Sequence, residues 1–454
     1  MCVIHKHIVL ASLWLFLVSA TGHAYAQNAV SEDDLDALLP REATLTELRK
    51  KIDADPENEQ NYHDYASLAT TLGKTDQVVW AYDQLLAVYP DRDRVKLDLS
   101  LAYIAVGHYD YARILLGEVL DVKPPEAVQA NIKAVLEKID EAERRHHFKG
   151  SITVGMNSDS NANAAPNSGN ILILDNIVQL GQGAQPDSDV QHFYTASLGH
   201  VYDVGALTEG MPMVWQSSVM VYSTFQDELN DLNLKLYGIR TGPEFAYKPW
   251  DVRFGLTAGY NFLTLDSRSY LRSPNVEAKL DFPVYEAFTG YAVGALEYRD
   301  FMNTESVTTY TDRNGAARQG QVGLRYVLSE RSLWDLSYTK RHEEAKKAYY
   351  TNDQQTIALS NTYAFDPQWF CGALNKVFVV TRGSYKASNY SRPDALISAK
   401  KRKDNESQLQ FTLARQFDYD IMLALGYNYT TVSSNIENYR YDNHRYTVSL
   451  TKNF

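Results

Sequence analysis

Asp159, Asn161 and Asn163 alternate with Ser160 and Ala162. Carboxylate and amide oxygens at every second residue are how a calcium loop begins. Here the sixth position is Ala164 rather than glycine, and the twelfth is Asn170 rather than a bidentate glutamate, which excludes an EF-hand. The same side chains suit a polar turn in which Asx oxygens accept from nearby backbone N–H groups. His146 and His147 are adjacent, and neighbours on a helix point ~100° apart, so they read as a solvated linker rather than a metal site. His192, His200, His342 and His444 offer general bases, but no G-x-S-x-G, H-E-x-x-H or P-loop accompanies them. The chain therefore reads as non-enzymatic, with no cofactor or metal. Asp227, Glu228 and Asp231 read as a solvated loop cluster. Lys400-Lys401-Arg402-Lys403 is a cationic run of the kind that meets lipopolysaccharide phosphates through charge-assisted hydrogen bonds, although an ordinary charged loop is the plainer reading.

Two kinds of element must position these residues. In the first third, Pro56, Pro90 and Pro124 recur every 34 residues. Gly73 and Gly107 keep that spacing, as do Tyr82 and Leu116, and Tyr103 and Ala112 lie in the second unit. Glycine ends a first helix where a left-handed backbone is needed, and proline stops the second from running on. The pattern resembles the tetratricopeptide repeat, with two units over 57–124, a preceding helix over 41–55 and a closing helix over 126–147. Val78 departs from the small residue that usually packs between such helices. Repeats of this kind build a concave surface for a peptide or protein.

From Phe148 onward the period changes from 3.6 to 2. Val252, Phe254, Leu256, Ala258, Tyr260 and Phe262 alternate with Arg253, Gly255, Thr257, Gly259 and Asn261. Leu409, Phe411 and Leu413 alternate with Gln408, Gln410 and Thr412. Apolar toward lipid and polar or small toward a lumen is the pattern of a transmembrane β-barrel. About 14 strands follow, at 148–157, 190–203, 213–226, 232–247, 252–265, 270–281, 285–300, 319–328, 332–343, 355–365, 376–388, 405–417, 420–432 and 440–454. Ten residues tilted ~45° span roughly 23 Å, close to the apolar band of an outer-membrane barrel. Long connections at 158–189, 301–318, 344–354 and 389–404 alternate with short ones at 248–251, 329–332 and 418–419. The turns at 204–212 and 366–375 read as unusually long for the short side. About 24 of the 32 tyrosines lie in this part, as aromatic girdles require.

Compartment follows from the ends. Lys6 precedes an apolar run over 8–18, too short to span a bilayer as a helix, and Ala24-Tyr25-Ala26 is an A-x-A cleavage site. Residues 1–26 read as a signal peptide, 27–147 as a periplasmic helical domain and 148–454 as an outer-membrane barrel of a Gram-negative cell. Cleavage leaves Cys371 alone, so no intramolecular disulfide forms. A net charge of −12 argues against a nucleic-acid partner. Mean hydropathy is −0.37, which excludes a helical membrane protein but not a barrel. Phe454 closes a segment in which Leu450, Val448 and Tyr446 share its face. A terminal aromatic on an alternating strand resembles the signal read by the barrel-assembly machinery, with Lys452 where that signal usually has an apolar residue.

The segment Gly150-Ser151-Ile152-Thr153-Val154-Gly155-Met156-Asn157-Ser158-Asp159-Ser160-Asn161-Ala162-Asn163 directly follows the helical domain. It resembles the first barrel strand and D-S-N-x-N stretch of the surface lipoprotein assembly modulator (Slam) family. The resemblance implies a periplasmic tetratricopeptide-type domain before a 14-stranded barrel. It implies a translocator that moves client lipoproteins or secreted proteins to the cell surface, with a periplasmic chaperone as a further partner. On that basis Asp159, Asn161 and Asn163 would shape the barrel mouth or its lateral seam. The competing expectation is a pore or a polysaccharide exporter.

Overall fold

The computed structural model describes residues 44–181, 185–208, 210–304, 307–365 and 377–454. The signal-peptide, cleavage-site and Cys371 readings, and the turn at 366–375, lie outside the described residues. Two compact units divide the chain between Arg144 and Arg145.

The first unit is a stack of helices: α1 (44–54), α2 (Glu59–Thr71), α3 (Thr75–Val88), α4 (Asp93–Val106), α5 (Tyr109–Asp121) and α6 (Glu126–Glu143). The starts of α2 and α4 are 34 residues apart, as are those of α3 and α5. Pro56, Pro90 and Pro124 fall between helices. Gly73 and Gly107 follow α2 and α4 with φ of +68° and +82°. There the Lys74 N–H donates to the Ala69 carbonyl at 2.9 Å and the His108 N–H to the Tyr103 carbonyl at 2.9 Å. These are the six-to-one bonds of a Schellman cap, which needs a left-handed residue. Tyr65, Ala69, Ala81, Leu85 and Val95 form one core, and Ala112, Leu116, Val119, Ile132 and Ile139 a second. Val78 is buried in the first core at the place Ala112 takes in the second. The closing helix stops at Glu143, short of the expected 147, because the chain is already extended at His146.

The second unit is a closed antiparallel barrel of fourteen strands. They are β1 (His146–Asp159), β4 (Asp189–Thr208), β5 (Met211–Gln226), β6 (Leu234–Tyr247), β7 (Val252–Leu265), β8 (Arg268–Tyr285) and β9 (Phe288–Phe301). The ring continues through β10 (Gly315–Ser329), β11 (Ser332–Glu343), β12 (Asn352–Phe365), β13 (Val377–Tyr390), β14 (Lys403–Phe417), β15 (Ile421–Ser434) and β16 (Tyr441–Asn453). A small hairpin, β2 (Asn170–Ile173) with β3 (Asn176–Gln179), sits in the connection after β1. Neighbours in sequence pair with one another, and β1 closes the ring against both β4 and β16.

The apolar residues of each strand form the outer face. Ile152, Val154 and Met156 on β1, Phe254, Leu256 and Tyr260 on β7, and Leu409, Phe411 and Leu413 on β14 are all exposed. Only lipid covers such a belt without cost. The expected long turn at 204–212 is instead mostly strand, because β4 runs on to Thr208 and Thr208 pairs with Met211 at the start of β5. Its register slips between Asp203 and Gly205 and between Ala206 and Thr208. Gly205 at φ +92° supports those slips, and glycine with Pro212 is what gave the segment a loop-like composition.

Candidate functional site at the barrel seam

Closure joins residues from the two ends of the barrel sequence. β1 pairs with β16 from Ser151 opposite Asn453 to Asp159 opposite Arg445. Its pairing with β4 runs further, from His146 opposite Tyr202 to Asp159 opposite Asp189. The seam is therefore the shorter of the two ladders on β1. Phe454 extends it by one step: the Gly150 N–H donates to the Phe454 carbonyl at 2.7 Å, and the Phe454 N–H to the Gly150 carbonyl at 3.0 Å. Lys452 faces outward and its Nζ donates to the Tyr419 carbonyl in the neighbouring turn, which accounts for a cation where an apolar residue is usual.

At the other end of the seam the D-S-N-A-N stretch is locked in place. The Asp159 carboxylate is 2% exposed and accepts from Arg445 Nε and Asn443 Nδ2, both at 2.8 Å. Asn161 is 3% exposed. Its Nδ2 donates to the Ala165 carbonyl at 2.9 Å, and its Oδ1 accepts from the Ala165 N–H at 3.0 Å. The Asn161 N–H donates to Asn443 Oδ1 at 3.2 Å. Asn163 Nδ2 donates to the Gln185 carbonyl at 2.8 Å, and its Oδ1 accepts from the Asp187 and Ala165 N–H groups. Each amide oxygen or carboxylate is thus spent on protein donors. Asp159 stands at the long-loop end of the seam, and Asn161 and Asn163 follow it in the connection after β1.

The loop then reaches along the rim. Asn438 Oδ1 accepts from the Leu172 N–H at 2.7 Å, and its Nδ2 donates to the Leu172 carbonyl at 3.1 Å. The hairpin turn, Leu174 and Asp175, has φ of 52° and 62°, the two positive values of a type I′ turn. From it the Leu174 and Asp175 N–H groups donate to the Leu396 and Ile397 carbonyls at 3.0 and 2.9 Å. The Ser398 hydroxyl and the Ala399 N–H donate to the Asp175 carboxylate and hold it below the usual carboxylate range. One loop therefore ties together the connections after β1, β13 and β15. Sequence reasoning missed the hairpin, although two apolar runs flanking Asp175-Asn176 carried its signal.

Of the cationic run at 400–403, Arg402 is committed. Its guanidinium lies 3.3 Å from the Tyr439 ring centroid, 4.4 Å from that of Tyr390, and 2.5 Å from an Asp404 oxygen. The inner face is polar but not uniformly so. Arg341 meets Glu297 and Glu343 at 2.8 Å, Arg325 meets Asp281 at 3.0 Å, and Lys386 meets Glu406 at 2.5 Å. Beside β5–β9 the connection after β9 contributes Val307 and Tyr310, which are buried with Leu234, Leu236, Leu263 and Tyr270. That apolar infill departs from the expected polar lumen.

The four histidines do not share a site. His192 lies 3.2 Å from Asp227, His342 2.8 Å from Asp353, and His444 3.0 Å from the Tyr427 hydroxyl. His200 Nε2 is 2.9 Å from His146 Nδ1. His146 and His147 are the first residues of β1, not a solvated linker. Among the described residues no cluster of three or more His, Cys, Asp or Glu is placed to hold a metal. In the helical unit the Tyr103 hydroxyl donates to Asp83 at 3.0 Å, and burial together with that carboxylate pushes the phenol up to about 12.

A closed fourteen-stranded barrel with an apolar outer belt is an outer-membrane-type β-barrel. No family model matches the chain, and no curated protein matches it. Solved structures of similar fold include the outer membrane channel DcaP of Acinetobacter baumannii, at TM-score 0.39 and 10% identity over 68% of this chain and 97% of that one. A loop-deletion mutant of OmpT, an outer membrane protein of Vibrio cholerae, has TM-score 0.36 and 10% identity over 68% and 99%. A bacterial polysaccharide outer membrane secretin has TM-score 0.34 and 9% identity over 67% and 98%. At these values none of their cargoes transfers to this chain.

Proposed function

We propose that this chain is an outer-membrane translocator or assembly factor for proteins. Its helical unit, read as a tetratricopeptide-type domain in the periplasm, docks a client lipoprotein or secreted protein, or the chaperone carrying it. Its barrel provides the passage. The observation that carries this reading is the 34-residue helical repeat placed ahead of a barrel in one chain. A channel for small solutes has no need of such an arm, whereas a macromolecular client needs a docking surface. The seam adds support, because the Slam-like Asp159–Asn163 stretch begins at the last residue of the strand pair that closes the ring, where Asp159 meets Arg445. No nucleotide is at hand in the periplasm, and burial of apolar surface as the client folds outside supplies direction. The chain acts in this reading without enzymatic chemistry or a cofactor.

Co-expression with the exported protein encoded beside it tests the proposal. Protease accessibility of that protein on intact cells should require this chain and be lost when residues 44–143 are deleted from a barrel that still assembles. Exposure that is independent of this chain rejects it. The second reading, a pore or polysaccharide exporter, is favoured by the ion-paired inner face. It predicts ion conductance or glycan export by the barrel without any protein client.

A further inference from the structure

Two depressions of about 600 and 500 Å³ lie on the outward face of β8–β11 and meet at Ala278, Gly294 and Gly320. Those three residues stand side by side, Ala278 opposite Gly294 and Gly294 opposite Gly320, with Lys340 next in the row. Neither glycine is demanded by packing, since a Cβ at Gly294 or Gly320 would have no atom within 4 Å. The result is a trough left empty by the protein on a surface that otherwise carries Leu, Val and Tyr. Over Ala278, Gly294 and Gly320 water would lack polar side-chain partners, so in a membrane an acyl chain fills that stretch.

The head of the trough is cationic. One row nearer the long loops, Arg318 lies directly opposite His342. Glu344 offsets Arg318 at 3.4 Å, and Asp353 holds His342 at 2.8 Å. Lys340 is exposed, and among the described residues it forms no ion pair with a carboxylate. An anion at the top of the trough would complete the set through charge-assisted hydrogen bonds.

We propose that Arg318 and Lys340 hold a phosphate of an outer-leaflet lipopolysaccharide, one of whose acyl chains lies over Gly320, Gly294 and Ala278. The site rests on the outer-membrane reading of the barrel, which puts the long loops outside and these cations at the level of lipid phosphates.

The test uses the full-length protein extracted in mild detergent from outer membranes. Native mass spectrometry reads retention of purified lipopolysaccharide, of the same material after dephosphorylation, and of phosphatidylethanolamine. The wild type should bind lipopolysaccharide at least tenfold more tightly than either control. R318Q/K340Q should lose at least tenfold, and so should G294L/G320L, which fills the trough. Heat-modifiable mobility on gels reports folding of each variant. If the trough variant does not fold, the charge variant decides, because both of its changes are on the surface. Equal retention of dephosphorylated lipid, or wild-type retention by R318Q/K340Q, overturns the site. A folded barrel in the outer-membrane fraction that binds no lipopolysaccharide overturns the site alone. A chain absent from that fraction overturns the outer-membrane reading and the site with it.

Discussion

The ring of Phe454 lies over Gly150, so close that a Cβ on residue 150 would come within 2.3 Å of its Cε2 atom. Gly150 therefore leaves the place that the terminal aromatic occupies at the seam.

That relationship predicts a non-additive pair. Gly150→Val should push the ring aside and slow assembly about as much as Phe454→Ala, at a cost of about 1–3 kcal/mol by overpacking. The backbone pairing of Gly150 with Phe454 survives both changes. The double variant should then be no worse than Phe454→Ala alone. The folded, heat-modifiable fraction over time measures this, and additive losses would show that the two residues act separately.

A second prediction concerns the Ala165 N–H, which is fully buried and shared by Asn161 Oδ1 at 3.0 Å and Asn163 Oδ1 at 3.3 Å. Removing either asparagine leaves this donor one acceptor. Removing both strands it, at about 1–3 kcal/mol. N161A/N163A should therefore loosen the loop by more than the sum of the single changes, as read by hydrogen exchange over 160–181. If the loop opens in the double variant yet client export continues at the wild-type level, the motif has no part in export.

The rim latch has a defined pH response. Asp175 has a folded pKa below its ordinary 3.8. Its contribution is present above that unfolded value and is lost as pH falls through the lower folded one. The latch should stay closed at neutral pH and loosen only in strong acid. Asp175→Asn should open it at neutral pH, seen as faster exchange in 170–181 and 391–399 together. Faster exchange in one segment alone would show that the two are not coupled.

The helical unit yields a fourth. Gly107 has φ of +82° with open space around its Cβ direction, so Gly107→Ala meets strain but no clash. It should cost about 1 kcal/mol, read from thermal melting of the helical signal of the full chain. Tyr103 has a folded pKa raised from 10.0 to about 12. Its contribution is complete below the unfolded value and is lost as pH rises through the folded one. Stability of this unit should fall between pH 10 and about 12, and Tyr103→Phe should remove that part of the fall.

Much of the barrel was legible along the chain. The strand expected at 332–343 is β11, Ser332–Glu343, and that expected at 252–265 is β7, Val252–Leu265. Lipid outside and a mixed polar face inside impose a period of two, which any single strand displays by itself. The 34-residue helical period was legible for a similar reason, since Gly73 and Gly107 are needed where each first helix ends. The hairpin β2–β3 and the long β4 were not, because bulges and a type I′ turn borrow the residues of loops.

By itself, then, the sequence determined which strand residues face out, how many strands ring the barrel and where α2 and α4 stop, since local geometry and solvent dictate those. The tertiary structure alone decided that Asp159 meets Arg445, that Asp175 meets Ser398, and that Arg318 and Lys340 stand above a trough of small residues. Alternation specifies a face and not a neighbour. Partners more than 200 positions apart come together only when the first strand closes the ring against the last and each strand takes its register.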